Sequence, residues 1–125
     1  MPEPAVDEPF AEHVGVELGD VTEAEATAHL TLESHHLNGH GTPHGGALYT
    51  LADTAFAVAA NAGDDDAVAL ETSTSYLEAA APGDTITATA RRKHDSRRTG
   101  LYTVELTDSD GTLVAEFRGR VYKVG

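Results

Sequence analysis

The chain has 125 residues, 40% hydrophobic and 23% charged, which is the size and apolar content of one ordinary domain with one real core. It has no cysteine, so disulfides, a thiol nucleophile and cysteine-bound zinc are all excluded. A formal net charge of -13 sets the surface against nucleic acid and anionic membrane, and the longest apolar run, Ala55 to Ala60, is far short of the ~20 residues of a membrane-spanning helix.

A cytoplasmic protein is expected. Acidic charge this dense is tolerable and solubilising where salt screens it, so the composition points to a halophilic surface. All eight cations (Arg91, Arg92, Lys93, Arg97, Arg98, Arg118, Arg120 and Lys123) follow residue 90, where they outnumber the five acids by three; the first 90 residues carry sixteen acids and no Lys or Arg. An anionic ligand therefore has one landing place, in the C-terminal third.

In chain order, residues 1–9 read as a flexible acidic tail, and Pro9 to Val14 as a single short helical segment. Val16 to Leu32 alternates loosely, as two short strands or one bent strand would, with Ala26, Ala28, Leu30 and Leu32 on one face. His35 to Pro43 is rich in Gly, Asn, His and Pro, which is loop chemistry. Thr42-Pro43 then reads as a helix start, with Thr as the cap and Pro at the first helical position, and Asn61-Ala62-Gly63 as its end. The interior of this one long helix, ALYTLADTAFAVAANA, is apolar on nearly all sides and so belongs against a sheet. Four strand-like runs follow, near 68–78, 84–95, 100–107 and 112–123, separated by turn signals at Pro82-Gly83, Ser96 to Arg98 and Asp110-Gly111. Their short connections favour antiparallel pairing. The fold class expected is α+β, one central helix packed on an antiparallel sheet.

Asp53 is the polar exception within the long helix, where an ionised carboxylate is disfavoured unless something compensates it. Two roles suit it: a structural aspartate bonded to a loop or neighbouring subunit, or a general base or nucleophile beside an acyl bond. His44-Gly45-Gly46 falls in the first helical turn, where backbone N–H groups lack partners and the helix dipole is positive. Glycine there is either the requirement of a tight turn or the means by which a substrate oxygen approaches the backbone. Gly45 and Asp53 are eight residues apart, about 12 Å along one helix, too far to act on one carbonyl. If both act on the same group, they come from two subunits whose helices run antiparallel across a two-fold axis. His36, His40 and His44 are spaced by four, but Asn38-Gly39, Gly41 and Pro43 forbid the helix that would align them as metal ligands, so no metal is expected there.

The run HLNGHGTPHGGALYTLADTAFAVAANA, residues 36–62, together with DTITATA and LVAEFRGRVYKV, closely resembles the phenylacetate-degradation (PaaI-like) branch of the hotdog-fold acyl-CoA thioesterases, over roughly residues 10–123. The resemblance implies a helix wrapped by a curved antiparallel sheet, a homodimer that often pairs into a tetramer, and hydrolysis of acyl-CoA thioesters without metal or cofactor. It makes Asp53 the acidic catalyst and the Gly45 N–H the group that polarises the carbonyl, with Asn38 and His44 beside the reacting centre. Gly46 and Tyr76 are expected to bind substrate, and Arg97 and Arg98 to hold the phosphates of coenzyme A, for which guanidinium forks are suited. Where related enzymes carry a hydroxyl residue one turn after the acid, this chain has Ala57. Two other functions use the same features: an acyl-CoA sensor that binds without turnover, and a hydratase or dehydratase. The latter typically pairs a histidine with an acid, whereas here the acid lies on the helix in the thioesterase pattern.

Overall fold

A computed structural model describes residues 7–124. Residues 1–6 of the expected acidic tail lie outside the described residues. Helix α1 (Pro9–Val14) begins on a proline, whose fixed φ suits a first helical turn, and ends at Gly15, whose φ of 108° only glycine adopts readily. Strands β1 (Glu17–Thr22) and β2 (Glu25–Thr31) form a hairpin, followed by a single 3-10 turn at Ser34–His36. Helix α2 (Gly45–Ala60) is the long helix, and β3 (Ala67–Tyr76), β4 (Thr85–Asp95), β5 (Thr99–Thr107) and β6 (Leu113–Lys123) complete the chain.

All six strands pair antiparallel in one sheet of order β1-β2-β4-β5-β6-β3. Helix α2 touches every strand, so the sheet curves around it. This is the α+β hotdog architecture. The order departs from sequence adjacency at one place: β3 does not form a hairpin with β4 but crosses to pair with β6, which leaves β3 at the free edge.

The core lies between α2 and the concave face of the sheet. Strand residues on that face are buried in alternation, Ala26, Ala28 and Leu30 on β2, Ile86, Ala88 and Ala90 on β4, and Val104 and Leu106 on β5. The small side chains of β2 and β4 let the helix sit close. Bulk comes from Phe56 of α2, whose ring packs on Phe117 at 5.3 Å and on Tyr102 at 5.8 Å between centroids. The tip of the Phe56 ring sits over Gly119 of β6, where a methyl group would come within 2.6 Å of Cζ.

The start of α2 differs from the sequence expectation. Thr42 is not the cap and Pro43 is not the first helical residue; Pro43 instead forms an isolated bridge with Leu37 that closes the preceding loop. His44 is the N-cap, with extended φ and ψ, and its Nδ1 accepts the Gly46 N–H at 2.8 Å. A ring nitrogen here takes the place that a Ser or Asp oxygen commonly fills.

Three contacts staple β3 to α2 along its length. Asn61, the C-cap, donates to Ala57 O and Ala67 O and accepts from Ala67 N. Tyr49 bonds Thr72 between hydroxyls at 2.6 Å, and Tyr76 donates to the carbonyl of Gly45 at 2.9 Å. The edge strand therefore runs antiparallel to the helix in fixed register. No described helix is long and apolar enough to cross a membrane.

Candidate active site

Asp53 sits at the middle of α2 on a half-buried face it shares with Thr50 and Ala57, the positions one turn away in each direction. Burial raises the proton affinity of its carboxyl above the ordinary aspartate value. Neither neighbouring position supplies a free hydroxyl. Thr50 Oγ1 donates to Gly46 O at 2.8 Å, Thr54 Oγ1 to Thr50 O at 2.6 Å, and Ala57 has none. Among the described residues the Asp53 carboxylate makes no hydrogen bond and no ion pair, so it is available to a ligand.

Glu8 is a neighbour that the sequence did not announce. It precedes α1, which packs on α2, and its carboxyl is held above the usual range, first by burial and then by the negative charges of Asp53 and Asp7. Nothing in the local pattern at Glu8 signals this; the signal is only its proximity to Asp53 in the fold.

At the N-terminus of α2 the backbone donors are almost all taken. The Gly46 N–H goes to His44 Nδ1 and the Ala47 N–H to His44 O at 3.0 Å. Among the described residues the Gly45 N–H has no acceptor, and it stands where the helix dipole is positive. Because Nδ1 of His44 accepts, its ring proton lies on Nε2, which faces away from the cap and is a second free donor.

Asn38 holds the loop before the helix. Its Oδ1 accepts from His40 N at 2.9 Å, Thr42 N at 3.2 Å and Thr42 Oγ1 at 3.1 Å, and its backbone closes on Thr42 O and Gly41 N. With the oxygen committed, the Nδ2 amide is the part of Asn38 left to donate. His36 is a structural residue. Buried, it accepts Glu33 N at Nδ1 and meets Val14 O at Nε2 at 2.6 Å, so both ring nitrogens are occupied, and this neutral imidazole ties the loop to the end of α1.

Tyr76 stands at the end of β3 with its ring against Gly45, adjoining the expected donor. Arg97 and Arg98 are elsewhere in the same chain. They lie in the β4–β5 turn, near the C-terminal end of α2, where Arg98 NH1 donates to Tyr122 Oη at 3.1 Å and Lys123 bridges Asp95 at 2.6 Å and Ser96 O at 2.7 Å. Gly45, His44 and Tyr76 thus cluster at one end of α2, with Asn38 holding the loop that leads into it; Asp53 is central and the arginines are at the other end.

This arrangement offers a positive backbone donor, a carboxylate of raised basicity and a distant cationic turn on one scaffold. The profile of the thioesterase superfamily matches residues 40–115. The Escherichia coli (strain K12) acyl-coenzyme A thioesterase PaaI is 38% identical over 115 residues, 92% of this chain and 82% of that protein. The structure of E. coli PaaI aligns with a TM-score of 0.91 at 37% identity, covering 95% of this chain and 86% of the other. A mutant of the phenylacetic acid degradation protein PaaI from Thermus thermophilus aligns at 0.89 and 40% identity, covering 94% and 100%. A Streptococcus mutans UA159 protein solved bound to acetyl CoA aligns at 0.85 and 26% identity, covering 89% and 90%.

Proposed function

The chain belongs to the thioesterase superfamily, and from that premise we propose that it hydrolyses acyl-CoA thioesters to a free acid and coenzyme A. The observation that carries the proposal is the free Gly45 N–H at the head of the same helix that holds a half-buried, unpaired Asp53. The thioester carbonyl oxygen accepts from Gly45 N–H, which stabilises the negative charge that develops on it. Asp53 either takes a proton from the attacking water or attacks the carbonyl carbon itself. On the first route the C–S bond breaks and the proton taken by Asp53 passes to the departing thiolate. On the second the C–S bond breaks to leave a mixed anhydride on Asp53, which water cleaves at the Asp53 carboxyl carbon, releasing the free acid and a proton for the thiolate. Single turnover in oxygen-18 water separates the two routes, since only direct attack carries the label into Asp53.

Gly45 and Asp53 lie about 12 Å apart along one helix, so for both to act on the same thioester they come from two subunits. An antiparallel copy of α2 brings its Asp53 beside Gly45 when the two-fold axis passes the residue midway, Tyr49. Tyr49 is bonded to Thr72, and the midpoint of β3 falls between Glu71 and Thr72. An edge strand pairing with its own copy about that axis is therefore paired over its full length, which covers the half-exposed Val68 and Leu70. The helix register and the strand register, fixed separately, support the same axis. In that dimer the Gly45 end of one subunit lies toward the Arg97 and Arg98 turn of the other, within reach of an extended coenzyme. Asn38 Nδ2 and His44 Nε2–H are the further donors to the bound thioester, and Gly46 lets it come close to the helix end.

The test is thiol release from phenylacetyl-, hydroxyphenylacetyl-, benzoyl-, acetyl- and medium-chain acyl-CoA in molar KCl, with Asp53→Asn as the control. Turnover of at least one ester, reduced by about 10²-fold or more in the variant, is expected from loss of the acid-base group. A folded native protein that binds CoA esters without releasing thiol would make it a sensor instead.

A further inference from the structure

Gly45 and Gly46 are not glycines because of their backbone. The glycines with positive φ are Gly15, Gly41, Gly83 and Gly111, and the α2 pair is not among them. What disfavours a side chain is crowding. A Cβ on Gly45 would lie 3.2 Å from Tyr76 Cζ and 3.3 Å from its hydroxyl oxygen, and a Cβ on Gly46 would lie 2.9 Å from His44 Nδ1. The same two side chains hold the peptide that joins the glycines. Its carbonyl accepts the Tyr76 O–H at 2.9 Å, and its N–H donates to His44 Nδ1 at 2.8 Å.

His44 acts from two residues away, but Tyr76 reaches across 31 residues of sequence from the end of the edge strand. Without that contact, no bond ties the Gly45–Gly46 peptide to the sheet among the described residues; the helix start is held by its cap and by the His44 N–H bond to His36 O at 2.8 Å, and helix ends fray. With it, the plane of the first peptide is fixed to the sheet, and the preceding N–H, on Gly45, keeps one direction. Donor direction matters because displacement of a reacting group by about 1 Å can cost about 10²-fold in rate.

We propose that Tyr76 is a positioning residue for the reaction: its hydroxyl and ring clamp the first peptide of α2 so that the Gly45 N–H stays aimed at the thioester oxygen. The proposal rests on the polarising role given to Gly45 above. Tyr76 acts through Gly45 and needs no contact with the acyl group, so its effect falls on the chemical step for every ester alike.

The experiment is a kinetic comparison of Tyr76→Phe with the native protein on two esters of different acyl size, beside a stability cycle of Gly45→Ala in the native and Tyr76→Ala backgrounds. Tyr76→Phe keeps the ring and removes only the hydroxyl bond. It is expected to lower kcat by about 10- to 100-fold on both esters while changing KM by less than about threefold. In the cycle, Gly45→Ala is expected to lower Tm in the native protein and much less in Tyr76→Ala, where the ring is gone. Unchanged kcat, or a KM change confined to one acyl group, overturns the clamp and makes Tyr76 a wall of the acyl pocket. Gly45→Pro, which deletes the N–H at a first helical position whose backbone suits proline, is compared with Gly45→Ala, which meets the same Tyr76 ring but keeps the N–H, and the pair tells which idea has failed. If Gly45→Pro abolishes turnover while Gly45→Ala and Tyr76→Phe do not, the clamp alone is wrong. If neither Gly45→Pro nor Tyr76→Phe affects kcat, the polarising role of Gly45 is wrong with it.

Discussion

Asp53 is a carboxylate that the fold holds half out of water with no neutralising partner among the described residues. Its folded pKa is raised by burial, so the folded protein keeps the proton to higher pH than the unfolded chain does. The contribution to stability is therefore full below the unfolded value, near 3.9, and is lost as pH rises through the folded one. Asn cannot ionise and avoids that loss. Asp53→Asn should accordingly melt at a higher temperature than the native protein at pH 7, with the difference shrinking as the pH is lowered toward 4. An equal or lower Tm at pH 7 would mean that the carboxylate is compensated by a partner. The same raised pKa sets the acid limb of kcat/KM above the ordinary aspartate range if Asp53 works ionised. At this scale the sequence was informative where chemistry conflicted with its local setting. A lone acid in an apolar helix and paired glycines at a helix start both stand out in one dimension. Glu8 does not, because its significance is its nearness to a residue 45 positions away. Nor does the bonding of Asn38, whose oxygen is spent on the loop and whose amide is not.

The long helix and the last four strands were legible nearly to their ends, since the helix lacks any breaker after Gly46 and turn signals separate the strands. The β1–β2 turn, Glu23-Ala24, by contrast has no Gly, Pro, Asn or Asp to divide two strands from one bent one. Two further features were not legible. Thr-Pro is a stronger start signal than His-Gly by composition, yet Pro43 is drawn into the bridge with Leu37 and His44 supplies the cap through its ring. The place of β3 was also hidden, because its partner is the last strand and a short connection leads instead toward β4. The packing of α2 against β6 yields a prediction at this level. Gly119→Ala places a methyl within 3 Å of the buried Phe56 ring, which packs on Phe117 and Tyr102. Overpacking of this kind destabilises by ~1–3 kcal/mol, measurable as a lower midpoint in urea with an unchanged slope. A neutral result would show that the ring can shift away.

At the scale of the whole molecule, net charge and assembly govern behaviour. Among the described residues, four ion pairs involve the side chains of Glu25, Glu71 and Asp95, and all are partly exposed. With a net charge of -13, the remaining acids repel one another across the surface, and that repulsion is screened within ~3 Å in molar salt. We propose on this ground that the protein is salt-adapted: its Tm should climb steadily from low salt to molar KCl, and a flat profile would refute the adaptation. The proposed assembly rests on a length, the rise of an α-helix over the eight residues from Gly45 to Asp53, given that both act on one thioester. What the sequence did not hold is the matching register of β3, which depends on the contact between Tyr49 and Thr72.

The account depends most on one site being built from two chains. Gly45→Pro removes the donor and Asp53→Asn the carboxylate, so each variant alone should be inactive. Co-expressed at equal levels and allowed to assemble at random, the two should regain about one quarter of native turnover, because one site in four then unites an intact Gly45 with an intact Asp53 from the facing subunit. Activity no greater than that of either variant alone, in a mixture shown to contain heterodimers, would place both groups on the same chain and contradict the shared site.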